Sequence, residues 1–281
     1  NIVFGHKIVA FTKGKKLLTQ SNQTGNYYLT DVSSPEGSLN LSLVFNNLKR
    51  DILNLPGVVK IVDIKPYSDN ENRFVVSTEK ATYVLDTQRS SIEQVALGVN
   101  SVTLQKNNHL VWINEDKVEV LSAPFRNISV ALELDSVSPN VSEVYLVDQT
   151  WLALTSYKDL LVIGEGNKVI AKGVDRVFPD SQSEKVVFTQ GNSLSVYSPE
   201  DDEVIKLVNT ESDIEDLTWF EGDGYLILLS GGNLSLVEVD NRLPINKVNI
   251  ADNVTAFSYE VGSSSVLFLN ESGLWQKTLK L

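Results

Sequence analysis

The chain has 281 residues, 42% of them apolar, which supplies material for a substantial core, and it contains no apolar run long enough to cross a bilayer as a helix. It has no cysteine, which excludes disulfides, thiol catalysis and cysteine-based metal sites. With 36 acidic against 24 basic residues the net charge is −12, and no basic stripe relieves it, so phosphate backbones and anionic bilayers are poor partners.

The first residues, "NIVFG", read as one short strand ahead of a second beginning at "KIVAFT". They lack the basic start and long apolar region of an intact signal peptide. Methionine is absent, so residue 1 is expected to be a processing site, an expression boundary or the first ordered residue of something longer. Farther on, "YYLTDVSSPEGSLNLS" reads as strand, turn and strand, and "NNLKRDILNLPG" (Asn46–Gly57) as a short helical turn. No other segment carries a sustained helical period.

From there one pattern recurs: an apolar strand, a tight turn and a second strand. It appears in "RFVVSTEKATYVLD", "HLVWINEDKVEVLS", "WLALTSYKDLLVIG", "KVVFTQGNSLSVYS", "YLILLSGGNLSLVEVD" and "SVLFLNESGLWQKT". The strand pairs start at Lys16, Arg73, His109, Trp151, Lys185, Tyr225 and Ser264, with successive spacings of 57, 36, 42, 34, 40 and 39. A period of about 40 residues is that of propeller blades. Residues 213–251 resolve into four strands, "IEDLTWF", "YLILLS", "NLSLVEV" and "PINKVNI", separated by Gly, Asn, Asp and Pro. The second strand of each unit is the most uniformly apolar, as expected of a strand packed on both faces.

These features predict an all-β, seven-bladed β-propeller of four-stranded antiparallel blades, forming a single domain over 1–281. Blades are expected at approximately 6–57, 58–98, 99–140, 141–173, 174–212, 213–251 and 252–281. The last unit supplies only three strands, so Asn1–Gly5 is expected to be its outer strand and to close the ring.

The segment "DLTWFEGDGYLILLSGGNLSLVEVD" resembles the repeat of TolB-type and WD-repeat-like bacterial propellers. A strand ends near Trp, a turn and an apolar strand follow, and a Gly-rich turn leads to a strand ending in Asp. The chain as a whole is most similar to the propeller that follows PEGA domains in bacterial envelope proteins. It departs from the usual Ser-Pro-Asp-Gly turn, carrying Phe220-Glu221-Gly222-Asp223-Gly224 instead. The resemblance implies an extracytoplasmic, cell-envelope binding scaffold, monomeric, with no catalytic residues to carry over.

Few residues suggest chemistry. His6 and His109 are distant in sequence, and with no cysteine they make a poor zinc site or catalytic triad. The acidic clusters "SPEDDEV" and "NTESDIED" read as solvated turns, and no calcium-loop motif accompanies them. No metal or cofactor is expected. Trp112, Trp151 and Trp275 lie within repeated strands and are expected to pack between blades, whereas Trp219 ends an inner strand and is open to another use. Seven N-x-[ST] sequons begin at Asn22, Asn40, Asn127, Asn140, Asn233, Asn253 and Asn270, which turn chemistry alone can generate.

The leading expectation is a non-catalytic scaffold that binds a protein or an envelope polysaccharide. Two alternatives are a carbohydrate-active propeller using carboxylates such as Asp63, Asp148 and Asp216, and a glycosylated eukaryotic ectodomain. Recognition is expected at the turns inside the strand pairs and at the blade-to-blade connections. These carry Glu79-Lys80, Glu115-Asp116, Tyr157-Lys158, the Asn46–Gly57 insertion and Asn209–Asp213. Tyr157, Lys158, Glu79 and Lys80 are the candidate binding residues, with Tyr157 beside Lys158 as the anchor, because an exposed aromatic next to a cation suits an interface.

Overall fold

The computed structural model describes residues 6–12, 16–32, 35–67, 70–97, 102–104, 109–114, 117–121, 128–133, 141–164, 166–179, 184–220, 224–240, 245–260 and 264–279. The sequence-predicted closing strand Asn1–Gly5 lies outside them, as do Glu115-Asp116. The chain divides into two compact units, Asn1–Leu110 with Leu121–Ile128, and Val111–Val120 with Ser129–Leu281.

Seven antiparallel sheets follow one another. The first contains β1 (His6–Phe11), β2 (Lys16–Ser21), β3 (Tyr27–Asp31) and β4 (Leu39–Asn40), and a helix α1 (Leu41–Leu53) follows it. The second contains β5 (Ile61–Pro66), β6 (Arg73–Thr78), β7 (Ala81–Asp86) and β8 (Ser91–Leu97). The third contains β9 (Val102–Leu104), β10 (Leu110–Asn114), β11 (Lys117–Leu121) and β12 (Ile128–Glu133). The fourth contains β13 (Val141–Val147), β14 (Thr150–Thr155), β15 (Leu160–Ile163) and β16 (Lys168–Ala171). The fifth contains β17 (Arg176–Pro179), β18 (Val186–Gln190), β19 (Ser193–Ser198) and β20 (Glu203–Asn209). The sixth contains β21 (Ile214–Trp219), β22 (Tyr225–Ser230), β23 (Asn233–Glu238) and β24 (Lys247–Ala251). The last contains β25 (Val254–Glu260), β26 (Ser265–Asn270) and β27 (Gly273–Thr278). Strands pair in chain order within every sheet, and this is the all-β, seven-bladed propeller that the repeat predicts.

Burial explains the pattern of residues. Whereas β27, the third strand of the last sheet, has no buried residue, several second and third strands are sealed on both faces: β7 is buried at all six positions, and β22 and β19 at five of six. Such strands need no polar side and read as continuous apolar runs. Fourth strands show one face to water, so β20 and β24 keep only one buried residue each. Whereas β17 pairs in continuous register, four first strands carry a register shift near their start, between Ile61 and Asp63, Val141 and Glu143, Ile214 and Asp216, and Val254 and Ala256. A bulge there places one extra residue against the neighbouring strand and locally increases twist.

The helix corrects the sequence reading. The expected short turn within Asn46–Gly57 is a 13-residue helix that begins earlier, at Leu41. Its start is set by Asn40, whose side chain accepts the Leu43 N–H at 3.0 Å. Leu41, Phe45 and Lys49 recur at helical spacing and form the buried face. Leu41 and Phe45 join Leu18, Leu29, Phe74 and Leu85 in the core of the first unit. The periodicity is easily overlooked because one of those buried positions is a lysine.

Candidate functional site

In the second unit, the end of each blade where the second strand turns into the third also receives the chain passing to the next blade. Each such turn needs a left-handed residue. Gly231 (φ 56°) and Gly232 (φ 74°) supply it between β22 and β23, Gly191 (φ 59°) between β18 and β19, and Lys158 (φ 65°) between β14 and β15. A carbonyl of the turn then accepts an N–H from the chain entering the next first strand. Val174 donates to Lys158 at 2.8 Å, Ile214 to Gly191 at 3.3 Å and Val254 to Gly232 at 2.9 Å. The three donors are buried valine or isoleucine residues, so each clasp combines a backbone bond with an apolar plug.

Side chains reinforce the clasps. Lys158 Nζ donates to Asp175 Oδ1 at 2.7 Å, and the Gly191 N–H donates to Asp175 Oδ2 at 2.7 Å. The Gly191 N–H and then the Lys158 ammonium hold the Asp175 carboxyl below the usual carboxylate range. Thr210 donates its N–H to the Asn192 carbonyl at 2.9 Å, and Asn192 Nδ2 returns a bond to the Thr210 carbonyl at 2.8 Å. Ser230 Oγ donates to the Ser212 carbonyl at 2.8 Å. Asp175 and Asn192 were not singled out by sequence reasoning, whereas Thr210 and Ser212 lie within the Asn209–Asp213 segment that it named. The signal that finds them is positional: a polar residue in the turn and another roughly two strands later, at successive blade junctions.

Tyr157 and Lys158 therefore differ in role. The Lys158 backbone and ammonium belong to the clasp, while Tyr157 beside it is 68% exposed. Glu79 and Lys80 occupy the corresponding turn of the second blade, in the first unit, and both are exposed. That turn is built by Thr78, whose Oγ donates to the Ala81 carbonyl at 2.8 Å and accepts the Ala81 N–H at 3.1 Å. The two pairs stand at the same place in their blades but in different units.

The residues considered for catalysis are engaged or spread apart. Asp216, near the start of β21, lies 3.6 Å from Arg176, which also donates to the Ile214 and Glu215 carbonyls at 3.0 and 2.7 Å. Asp148 (φ 43°) sits in the turn after β13, at the opposite end of a first strand from the position Asp216 holds. Asp63 lies 3.7 Å from Lys65, and burial, followed by the nearby Asp63 charge, pushes the Tyr27 hydroxyl up to about 12. Tyr145 donates to Glu143, and burial raises its pKa well above the usual value, so its ring stays neutral. His6 Nδ1 lies 3.1 Å from Thr19 Oγ1, and its ring packs against Tyr28 with centroids 5.2 Å apart. No group of three metal-ligating side chains occurs among the described residues. In the first unit a cavity of about 370 Å³ is lined by Arg73, Arg89, Asp86 and Glu93, but its cations already face the buried Asp86 carboxylate at 3.4 and 4.0 Å.

The tryptophans separate by burial. Trp112 is buried, Trp151 packs against the Val111 cluster, and Trp219 is a structural residue whose indole donates to the Phe178 carbonyl at 2.9 Å. Trp275 departs from the expected inter-blade packing: it is 50% exposed on β27 and donates to Asn270 Oδ1 at 3.0 Å. Among the sequons, Asn40 is committed as the helix cap and Asn270 accepts from Ser272 and Trp275, while Asn127 and Asn140 lie outside the described residues.

No protein-family model matches the chain, and no curated protein matches it either. Solved structures do. A chain in the crystal structure of a mitotic checkpoint complex superposes with a TM-score of 0.65 at 12% identity, covering 99% of this chain and 88% of its own. The β-propeller domain of Cps50 (Swd1) from Myceliophteria thermophila superposes with a TM-score of 0.59 at 9% identity, covering 98% and 97%. The likeness is one of fold. At such identities it carries no residue-level correspondence.

Proposed function

We propose that this chain is a non-catalytic propeller scaffold that binds a protein partner through the turns and connections at the clasped end of its blades. The carrying observation is the division of labour in those turns. Backbone bonds and side-chain polar pairs fix the turns of the second unit and leave Tyr157 displayed, and in the first unit Thr78 fixes the turn that displays Glu79 and Lys80. Preorganised display of this kind suits recognition, and Asp216, one of the carboxylates considered for glycosidase chemistry, faces Arg176. The repeat's likeness to TolB-type propellers following PEGA domains, together with the cysteine-free composition, supports an extracytoplasmic setting in a bacterial envelope.

The test is crosslinking mass spectrometry on the chain captured from its native source, followed by affinity measurements with the purified partner. The scaffold reading expects crosslinks at the clasped end and weakened binding for Tyr157→Ala and Glu79→Ala/Lys80→Ala. A partner whose affinity ignores these and all the neighbouring loop substitutions would place recognition elsewhere. Turnover of an oligosaccharide panel would replace the reading with a catalytic one.

A further inference from the structure

The connection from the first blade to the second is unlike those of the second unit. There, from β16 to β17, β20 to β21 and β24 to β25, the chain passes between blades in two to four residues, whereas between β4 and β5 it takes twenty, 41–60. The extra length is tightly tied. Asn46 acts as a strand mimic toward Val59, accepting its N–H at 2.8 Å and donating to its carbonyl at 3.3 Å. Lys49, only 2% exposed, reaches out of the buried helix face and donates from Nζ to the Gly57 carbonyl at 3.0 Å. Left-handed Asn54 (φ 54°) ends the helix, and the Asn54 and Leu55 N–H groups both donate to the Lys49 carbonyl.

This fastening holds apolar side chains outward. Ile52 and Leu55 are exposed, and Val58, between the fastened Gly57 and Val59, is 90% exposed. The bonds secure the helix that buries Leu41 and Phe45, but they do not account for the display of Leu55 and Val58, because exposed apolar side chains add nothing to the core. Charge identifies what covers them. From β4 through β5 the chain carries Lys49, Arg50, Lys60 and Lys65 against Asp51 and Asp63, a net +2 within a chain of −12. Lys60, next to Val59, is exposed and has no ion pair among the described residues. Of these cations, Lys49 is buried and Arg50 and Lys65 lie beside Asp51 and Asp63, so Lys60 is the cation the connector displays, and a second copy would set Lys60 against Lys60. A phosphate backbone or anionic membrane would find an apolar centre on a strongly acidic chain.

We propose that the Ile52–Lys60 connector is a docking site for an acidic-flanked apolar segment of another protein, with Leu55 and Val58 as its apolar contacts and Lys60 as its charge contact. The proposal rests on the scaffold reading and names its partner chemistry. The net charge of −12 disfavours non-specific association with such a segment, so a locally basic, apolar spot adds register.

The probe is a displayed library of short random peptides selected against the intact chain at roughly physiological salt. Enriched peptides should pair leucine, isoleucine or phenylalanine with flanking Asp or Glu. As synthetic peptides they should lose at least about tenfold in affinity, or roughly 1.4 kcal/mol, on Val58→Asp, Leu55→Asp or Lys60→Glu. Val58→Asp should melt as the parent does, because the side chain touches little, so lost binding there is not lost folding. Enriched peptides that are neutral or basic, or whose binding ignores all three substitutions, overturn the proposal. So do self-association or binding to phosphatidylserine vesicles that Val58→Asp abolishes. Peptides that instead depend on Tyr157 or Glu79 would sink this site and keep the scaffold reading, whereas no selectable peptide and no captured native partner would sink both.

Discussion

Gly231 and Ser212 offer a direct measurement of how tightly the blades are clasped. Gly231 has φ 56°, and a Cβ there would lie 2.7 Å from Ser212 Oγ and 3.1 Å from Ser212 Cβ. Gly231→Ala therefore meets two costs. The left-handed backbone costs an alanine about 1–2 kcal/mol. The Ser212 hydroxyl can rotate away, but its Cβ moves only with a backbone whose carbonyl is held by Ser230 at 2.8 Å, adding about 1 kcal/mol. Reduced freedom of the unfolded chain returns about 0.5 kcal/mol, leaving a net loss of about 2 kcal/mol. Gly232→Ala is the internal control. It has a similar φ of 74° but nearest neighbours only at 3.8 Å, so it should lose about 1 kcal/mol from strain alone. Urea unfolding followed by tryptophan fluorescence would supply the values. Combining Gly231→Ala with Ser212→Gly should recover about 1 kcal/mol relative to additivity. Equal losses at the two glycines, or strict additivity with Ser212→Gly, would show that the junction yields freely and that its rigidity has been misjudged.

Four further outcomes are expected. Because the Asp175 carboxyl is held below its unfolded value, its contribution is full above the usual carboxylate range and fades as pH falls through the folded pKa. Asp175→Asn should cost about 0.5–1 kcal/mol at neutral pH, limited by solvent screening, and the gap in melting temperature should close in acid; a gap that widens in acid would contradict the sign. Trp219→Phe should lose about 1 kcal/mol by removing the donor to the partly buried Phe178 carbonyl, with no such loss if that bond is unimportant. If Asn1–Gly5 is the outer strand of the last blade, as expected from the sequence, a chain starting at His6 should melt lower and aggregate more readily than the full chain; identical melting would remove that strand from the closure. Filter binding should detect no association with generic duplex DNA at roughly physiological salt, and salt-sensitive micromolar binding would refute the charge reasoning.

The fold was legible because its constraints fall on side-chain polarity. A second strand such as Tyr225–Ser230 must be apolar on both faces, and it therefore stands out from the half-exposed fourth strand Lys247–Ala251. Turn chemistry marked the ends wherever it used glycine, as at Gly231-Gly232. It was less visible at Asp148-Gln149, where two non-glycine residues adopt φ of 43° and 61°. The helix was underestimated for a related reason. Lys49 is buried for what its ammonium does to a carbonyl eight residues on, and hydropathy counts it as solvent-facing. Trp275 misled in the opposite direction, an aromatic on a repeated strand that nonetheless faces water.

The candidate site was legible only as a set of loops, and the reason lies in how a polar residue is spent. Lys158 next to Tyr157 reads as a recognition pair, yet its ammonium meets Asp175, seventeen residues away, and its backbone takes the left-handed conformation that other blades give to glycine. A charge in a turn can thus be consumed by the junction, and only the partner's position reveals it. Exposed apolar residues behave differently. They gain nothing from water and are not needed by the clasp, so a rigid segment that displays them marks a surface selected for something outside the chain. By that criterion the residues most informative about binding are those that fit the repeat least. Val58 lies in the twenty-residue connector that no periodicity of the blades requires, held from both sides by Lys49 and Asn46.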